Sequence, residues 1–223
     1  MYNTNKIRCV LFDMDGTVLD SEKLFAKAEM SLVSEYGISA ELSDFVAFRG
    51  MSEEVFYPAF IKYFNITDDP NILRDKLKNY LFTLMRSDLE YIDGFIEFYE
   101  QCIQDQGLKT ALVTNTSLEI VNHVLSCIDM KHYFDFIITS SDVAEPKPSP
   151  APYLMAMNLL SMNPEECVII EDSESGFKSA ISSGAMTIGI TTTLSSSDIH
   201  DINSDINVFD SYADINKFLL QII

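Results

Sequence analysis

Short runs of β-branched and other apolar residues recur along the chain, separated by longer stretches of helical period. Ile7 to Phe12, Thr110 to Val113, Phe136 to Thr139, Val168 to Ile170, Met186 to Ile190 and Val208 to Phe209 have the length and composition of strands. Cys9-Val10-Leu11-Phe12 and Cys167-Val168-Ile169-Ile170 do not alternate with polar residues. Strands covered on both faces read this way, and parallel strands need helical crossovers. The pattern predicts an α/β fold: a doubly wound parallel sheet with a Rossmann-like core.

One interval breaks the rhythm. The first strand ends near Asp13 and the next begins near Lys109, far beyond an ordinary crossover unit of about 30 residues. Leu24, Ala28 and Leu32 share one helical face; Leu73, Leu77, Tyr80, Leu81 and Leu84 repeat the pattern further on. Ser52 is an expected N-cap, with Glu53 and Glu54 in the first turn of its helix. The expected division is an α/β core of residues 1–18 and 89–223 with a small, inserted, all-helical cap of residues 19–88. Leu194 to Asp198 is expected to be a surface loop.

A chain of 223 residues with 47% hydrophobic content can bury a full core. The 34 acidic residues against 15 basic give a formal charge of −19, which disfavours nucleic acid and anionic membranes as partners. Cys9, Cys102, Cys127 and Cys167 stand singly, without CxxC spacing, and are expected to be reduced and buried. The first apolar run is cut by Asp13, too early for a signal peptide or a membrane span, so the expected location is cytoplasmic. His123, His132 and His200 lack metal-ligand spacing and are expected at the surface or at helix ends. The Phe residues around Phe56 and Phe60 are expected to form the cap's own core.

Ligands of open parallel sheets bind beyond the carboxyl ends of the strands, which puts four polar groups forward. They are Asp13-Met14-Asp15-Gly16-Thr17, Thr114-Asn115, Lys147-Pro148 and Glu171-Asp172-Ser173. Asp13 and Asp15 on one glycine-containing turn would repel each other unless a cation or proton lies between them. Mg²⁺ takes oxygen ligands, and Asp13, Asp15 and Asp172 supply a partial shell, Asp15 through its backbone carbonyl. Asp13 is the expected nucleophile toward phosphorus and Asp15 the expected acid and base. Phosphoryl transfer rests on positioning and charge neutralisation. Thr114, Asn115 and Lys147 are the expected phosphate binders.

In their order these groups resemble the haloacid dehalogenase superfamily. The resemblance rests on Asp13-Met14-Asp15-Gly16-Thr17, Val113-Thr114-Asn115, Lys147-Pro148-Ser149-Pro150 and Glu171-Asp172-Ser173-Glu174-Ser175-Gly176, and it spans nearly the whole chain. It is nearest the branch with a helical cap inserted after the first motif, which includes β-phosphoglucomutase and phosphoglycolate phosphatase; Gly94 and the stretch Ala180 to Met186 fit that branch as well. The resemblance implies a phosphorylated Asp13, an acid/base Asp15, phosphate held by Thr114 and Lys147, and Mg²⁺ on Asp13, Asp15 and Asp172, with Glu171 joining or supporting the shell.

Asp15 separates this chain from the dehalogenases proper, which lack that carboxylate. Where mutases of the branch have a histidine and a basic cap residue, this chain has Phe25 and Glu53, which argues against a mutase. Arg49 falls where the cap's specificity loop is expected and has the fork to bind a substrate carboxylate or phosphate. The expected function is Mg²⁺-dependent hydrolysis of a small phosphate ester, a sugar phosphate or a phosphoglycolate-like acid, by a monomer or weak homodimer. A phosphomutase and a non-catalytic binding protein are the alternatives.

Overall fold

The computed structural model describes residues 7–48, 51 and 53–223, less the side chains at 46, 53 and 54. Arg49 and the expected N-cap Ser52 lie outside the described residues, as do the side chains of Glu53 and Glu54. The chain divides into two units, Met1–Leu19 with Tyr91–Ile223, and Asp20–Glu90.

The first unit is built on a parallel sheet of β1 (Cys9–Phe12), β2 (Lys109–Val113), β3 (Phe136–Ile138), β4 (Cys167–Glu171), β5 (Met186–Ile190) and β6 (Asn207–Phe209). Their order is β3-β2-β1-β4-β5-β6. All six apolar runs are therefore strands, with shifted ends: Ile7 precedes the ladder, and Thr139 leaves it to cap the 3₁₀ turn Ser140–Asp142. β1 is central, paired with β2 through Leu11↔Ala111 and with β4 through Leu11↔Ile169. Every residue of β1 and β4 is buried, as their unbroken apolar sequence requires.

The two sheet faces are filled differently. Cys9, Leu11, Ala111, Val113, Cys167 and Ile169 pack with Tyr153, Ala156, Met157 and Leu160 of a helix at Ala151–Leu160. From the other face Phe12 meets Phe95 and Phe98 edge-on, with ring centroids 5.8 Å and 6.2 Å away, and Tyr212 closes against Phe98 at 5.0 Å. Cys9, Cys102 and Cys167 are buried free thiols, whereas Cys127 is only half-buried. Ser196–Ile202 is helical, contrary to the loop expected there: Ser195 and Asp198 form a capping box, so the serine-rich run starts a helix.

Among the described residues the second unit has three helices, α1 (Glu22–Glu35), α2 (Glu53–Phe64) and α3 (Pro70–Asp88), with a 3₁₀ stretch at Leu42–Phe48. Leu24, Ala28 and Leu32 of α1 are buried, as are Leu73, Leu77, Leu81 and Met85 of α3. Four-residue spacing carries the α3 stripe to Met85, and the expected Leu84 and Tyr80 flank it half-buried. Asp69 caps α3 by accepting from Asn71 N, and Pro70 starts the helix. Phe45, Phe48, Phe56, Phe60 and Phe64 form an aromatic cluster centred on the buried Phe60. Among the described residues no helix is long and apolar enough to cross a membrane.

Candidate active site

The carboxyl ends of β1, β2 and β4 and the loop after β3 converge on one cluster. Asp13 N donates to Ile170 O (3.1 Å), so the last rung between β1 and β4 places Asp13 just beyond the sheet. The chain then turns back: Val18 N and Leu19 N both donate to Met14 O, and Gly16 N donates to Leu19 O. Gly16 has φ +79°, and a Cβ there would lie 2.0 Å from Asp172 Oδ2, so backbone conformation and space both require glycine.

Lys147 is the centre of charge. Its Nζ donates to Asp13 Oδ1 and to Glu171 Oε1, each at 2.6 Å, and only 2% of its side chain is exposed. It also lies 4.8 Å above the ring of Tyr153. The Asn115 side chain spans the Lys147 backbone, with Nδ2 donating to Lys147 O and Oδ1 accepting from Lys147 N, both at 2.9 Å. Asn115 thus fixes the lysine's backbone.

Glu171 is fully buried and uses both oxygens. Oε1 accepts from Lys147 Nζ and from Tyr153 OH (2.7 Å). Oε2 accepts from Asp172 N (3.1 Å), Ser173 N (3.4 Å) and Ser173 Oγ (3.2 Å). Ser173 also caps the helix Glu174–Ser183 by accepting from Gly176 N. A Cβ on Gly176 would fall 2.0 Å from the Glu171 carboxyl, so the helix carries glycine where the carboxylate needs room.

Asp172 is 1% exposed and receives hydroxyls from Thr17 (3.3 Å, on Oδ1), Thr192 (3.4 Å, on Oδ2) and Thr193 (on Oδ2). The half-buried Asp15 accepts from Thr116 Oγ1 at 2.6 Å and from Thr114 Oγ1 at 3.4 Å, both on Oδ2. Every candidate from the sequence that lies among the described residues therefore belongs to this cluster. Thr116, Tyr153, Thr192 and Thr193 were missed. Tyr153 and Thr116 had a faint signal, being six residues after Lys147 and two after Thr114. The two threonines follow β5, a strand that carried no expected site residue.

Burial pushes the Asp13 carboxyl up to about 8; the Lys147 ammonium opposes this, and Glu171 and Asp15 add to it. Burial alone would lower Lys147, but Asp13 and Glu171 outweigh it and hold the ammonium above its ordinary value. Tyr153 is kept well above its ordinary value, first by burial, and so remains a neutral donor. Asp13, Glu171 and Asp172 each offer an oxygen within 4.8 Å of the others. Three buried carboxyl groups beside one ammonium present hard oxygen donors, which suits a divalent cation such as Mg²⁺ taking the place of the proton that burial holds on Asp13.

The sequence matches the haloacid dehalogenase-like hydrolases over residues 10–190. The chain belongs to that family. Among haloacid dehalogenase-like relatives, the fructose-1-phosphate phosphatase YqaB of Escherichia coli is 26% identical over 184 residues, covering 81% of this chain and 95% of its own. The protein SUPPRESSOR OF QUENCHING 1, chloroplastic, of Arabidopsis thaliana is 29% identical over 201 residues, 88% of this chain but only 19% of that longer protein. A family hydrolase from Deinococcus radiodurans, solved with bound phosphate and sodium, superposes with a TM-score of 0.81 at 23% identity, covering 97% of this chain and 96% of its own. That likeness shows the fold alone.

Proposed function

We propose that this hydrolase is a Mg²⁺-dependent phosphatase of small phosphomonoesters, acting through an aspartyl phosphate on Asp13. The observation that carries the reading is the Asp13 carboxylate at the end of the central strand, 2.6 Å from a buried lysine, with Asp15 on the same turn. Asp13, Asp172 and the backbone carbonyl of Asp15 would hold Mg²⁺, which when bound neutralises charge on the phosphoryl oxygens. Glu171 supports the shell by holding Lys147 and the Asp172 backbone. Lys147 and Thr114 bind the phosphoryl group, and Asn115 keeps Lys147 in place. An Asp13 oxygen forms a bond to phosphorus as the bond to the leaving oxygen breaks, and Asp15 gives that oxygen its proton. Asp15 then takes a proton from water as the water oxygen bonds to phosphorus, the acyl–phosphate bond breaks and Asp13 is regenerated.

The relationship to a fructose-1-phosphate phosphatase supports a sugar phosphate as the substrate class, with phosphoglycolate-like acids next. Arg49 is the proposed recognition residue for a second anionic group, and Arg49→Ala should raise KM with little change in kcat. The free thiols support a reducing, cytoplasmic location, and we expect a monomer or weak homodimer. The test is phosphate release from a panel of sugar phosphates and phosphoglycolate, with Mg²⁺ or EDTA, by the wild type and Asp13→Asn. Metal-dependent release lost in the variant supports the reading. Isomerisation of a hexose phosphate without release would replace it by a mutase.

A further inference from the structure

We propose that Thr116 is a positioning residue whose hydroxyl fixes the Asp15 carboxyl in the orientation from which it protonates the leaving oxygen. The inference rests on the phosphatase reading above. The hydroxyls of Thr116 and Thr114 both reach Asp15 Oδ2, and they are not equivalent. Thr116 Oγ1 is at 2.6 Å, a short hydrogen bond, whereas Thr114 Oγ1 is at 3.4 Å, near the limit. The longer contact is readily exchanged for a phosphoryl oxygen; the shorter one stays with Asp15.

Thr116 is braced for this on both sides of its backbone. Its N donates to Thr114 Oγ1 (2.9 Å) and its O accepts from Ser140 N (3.3 Å). Ser140 opens the turn fixed by the Thr139–Asp142 capping box, so Thr116 is tied to the ends of both β2 and β3. Asp15 sits on a turn with its own backbone bonds. The hydroxyl of Thr116 thereby sets the plane of a carboxyl 101 residues earlier in the chain, and the same residue's N–H orients the hydroxyl of Thr114. A proton donor must be aimed at the leaving oxygen, and well-placed general acid catalysis is worth about 10²–10⁴ in rate.

The test compares Thr116→Val, which removes only the hydroxyl, with Thr116→Ser, which keeps it. Each is assayed on a sugar phosphate, whose alkoxide leaving group needs a proton, and on p-nitrophenyl phosphate, whose phenolate does not. For Thr116→Val, kcat/KM, which reports the steps up to loss of the leaving group and not the later hydrolysis of the aspartyl phosphate that both esters share, should fall about 100-fold on the sugar phosphate, the lower end of what a general acid supplies, and less than about 3-fold on the aryl ester. Thr116→Ser should restore the sugar-phosphate rate, and Asp15→Asn should show the same dependence on leaving group. Equal losses on both esters, or no loss on either, in a wild type that turns over both, overturn the assignment of Thr116 alone. A wild type that hydrolyses neither ester overturns the phosphatase reading and the assignment with it.

Discussion

Replacing Gly176 by alanine puts a methyl group 2.0 Å from the carboxyl of Glu171. Ordinary contact begins near 3.4 Å, so one group must retreat by about 1.4 Å. Glu171 has little freedom to do so, being fully buried and held by Lys147, Tyr153, Ser173 and the Asp172 amide. A displacement of that size takes the 2.6 Å and 2.7 Å bonds from Lys147 and Tyr153 out of range. Hydrogen bonds to a charged group are worth about 1.5–3 kcal/mol each, so the loss is about 3–6 kcal/mol. Alanine returns about 1 kcal/mol of helix propensity, leaving a net loss of about 2–5 kcal/mol. For a chain of this length that lowers Tm by about 5–15 °C. Calorimetry and urea unfolding of the metal-free protein measure it. A Tm within about 2 °C of the wild type, or above it, would refute the account of Glu171 as a pinned carboxylate.

Because burial raises the Asp13 carboxyl to about 8, the folded state holds a proton that the unfolded chain releases near its ordinary value. The associated stability is full below the unfolded value and is lost as pH rises through about 8. In EDTA the wild type should therefore lose more stability between pH 5 and 8 than Asp13→Asn, as urea midpoints report; equal slopes would contradict this. Asn115→Ala removes two 2.9 Å bonds to the Lys147 backbone, which should lower stability by about 1–3 kcal/mol. It should also raise KM for the phosphate ester, and unchanged steady-state kinetics would show that Lys147 needs no such brace. In the helical unit, Phe60→Ala empties the centre of the aromatic cluster and should cost about 3–5 kcal/mol, read by chemical unfolding and by faster proteolysis within residues 20–90.

The sheet was legible because each strand is a short apolar run, and β1 and β4, buried on both faces, are the least ambiguous of them. Strand ends were less clear: Thr139 has strand propensity, yet its hydroxyl favours capping the next turn. The same local chemistry was overlooked at Ser195 and Asp198, so a helix passed for a loop. Asp13, Asp15 and Asp172 could be found since polar residues just past strand ends invite suspicion in a parallel sheet, and Lys147, well beyond the end of β3, from its place in the order of these groups. Their partners could not. Thr116 reaches Asp15 and Thr193 reaches Asp172 across separate loops; nearness to Thr114 hinted at Thr116, but local patterning does not say which carboxyl either hydroxyl meets. Tyr153 sat hidden in an apolar helix, where an aromatic residue reads as core; its ring is indeed buried, yet its hydroxyl reaches Glu171 and its face meets Lys147.

Chemical trapping of the intermediate tests the central claim most directly. The enzyme would be mixed with Mg²⁺ and a sugar phosphate that it turns over, quenched within milliseconds, reduced with borohydride and mapped by peptide mass spectrometry. An aspartyl phosphate at Asp13 is reduced to homoserine at that position, in an amount that follows turnover and is absent from Asp13→Asn. Steady turnover with Asp13 unmodified, or with the reduced residue at another carboxylate, would contradict the account.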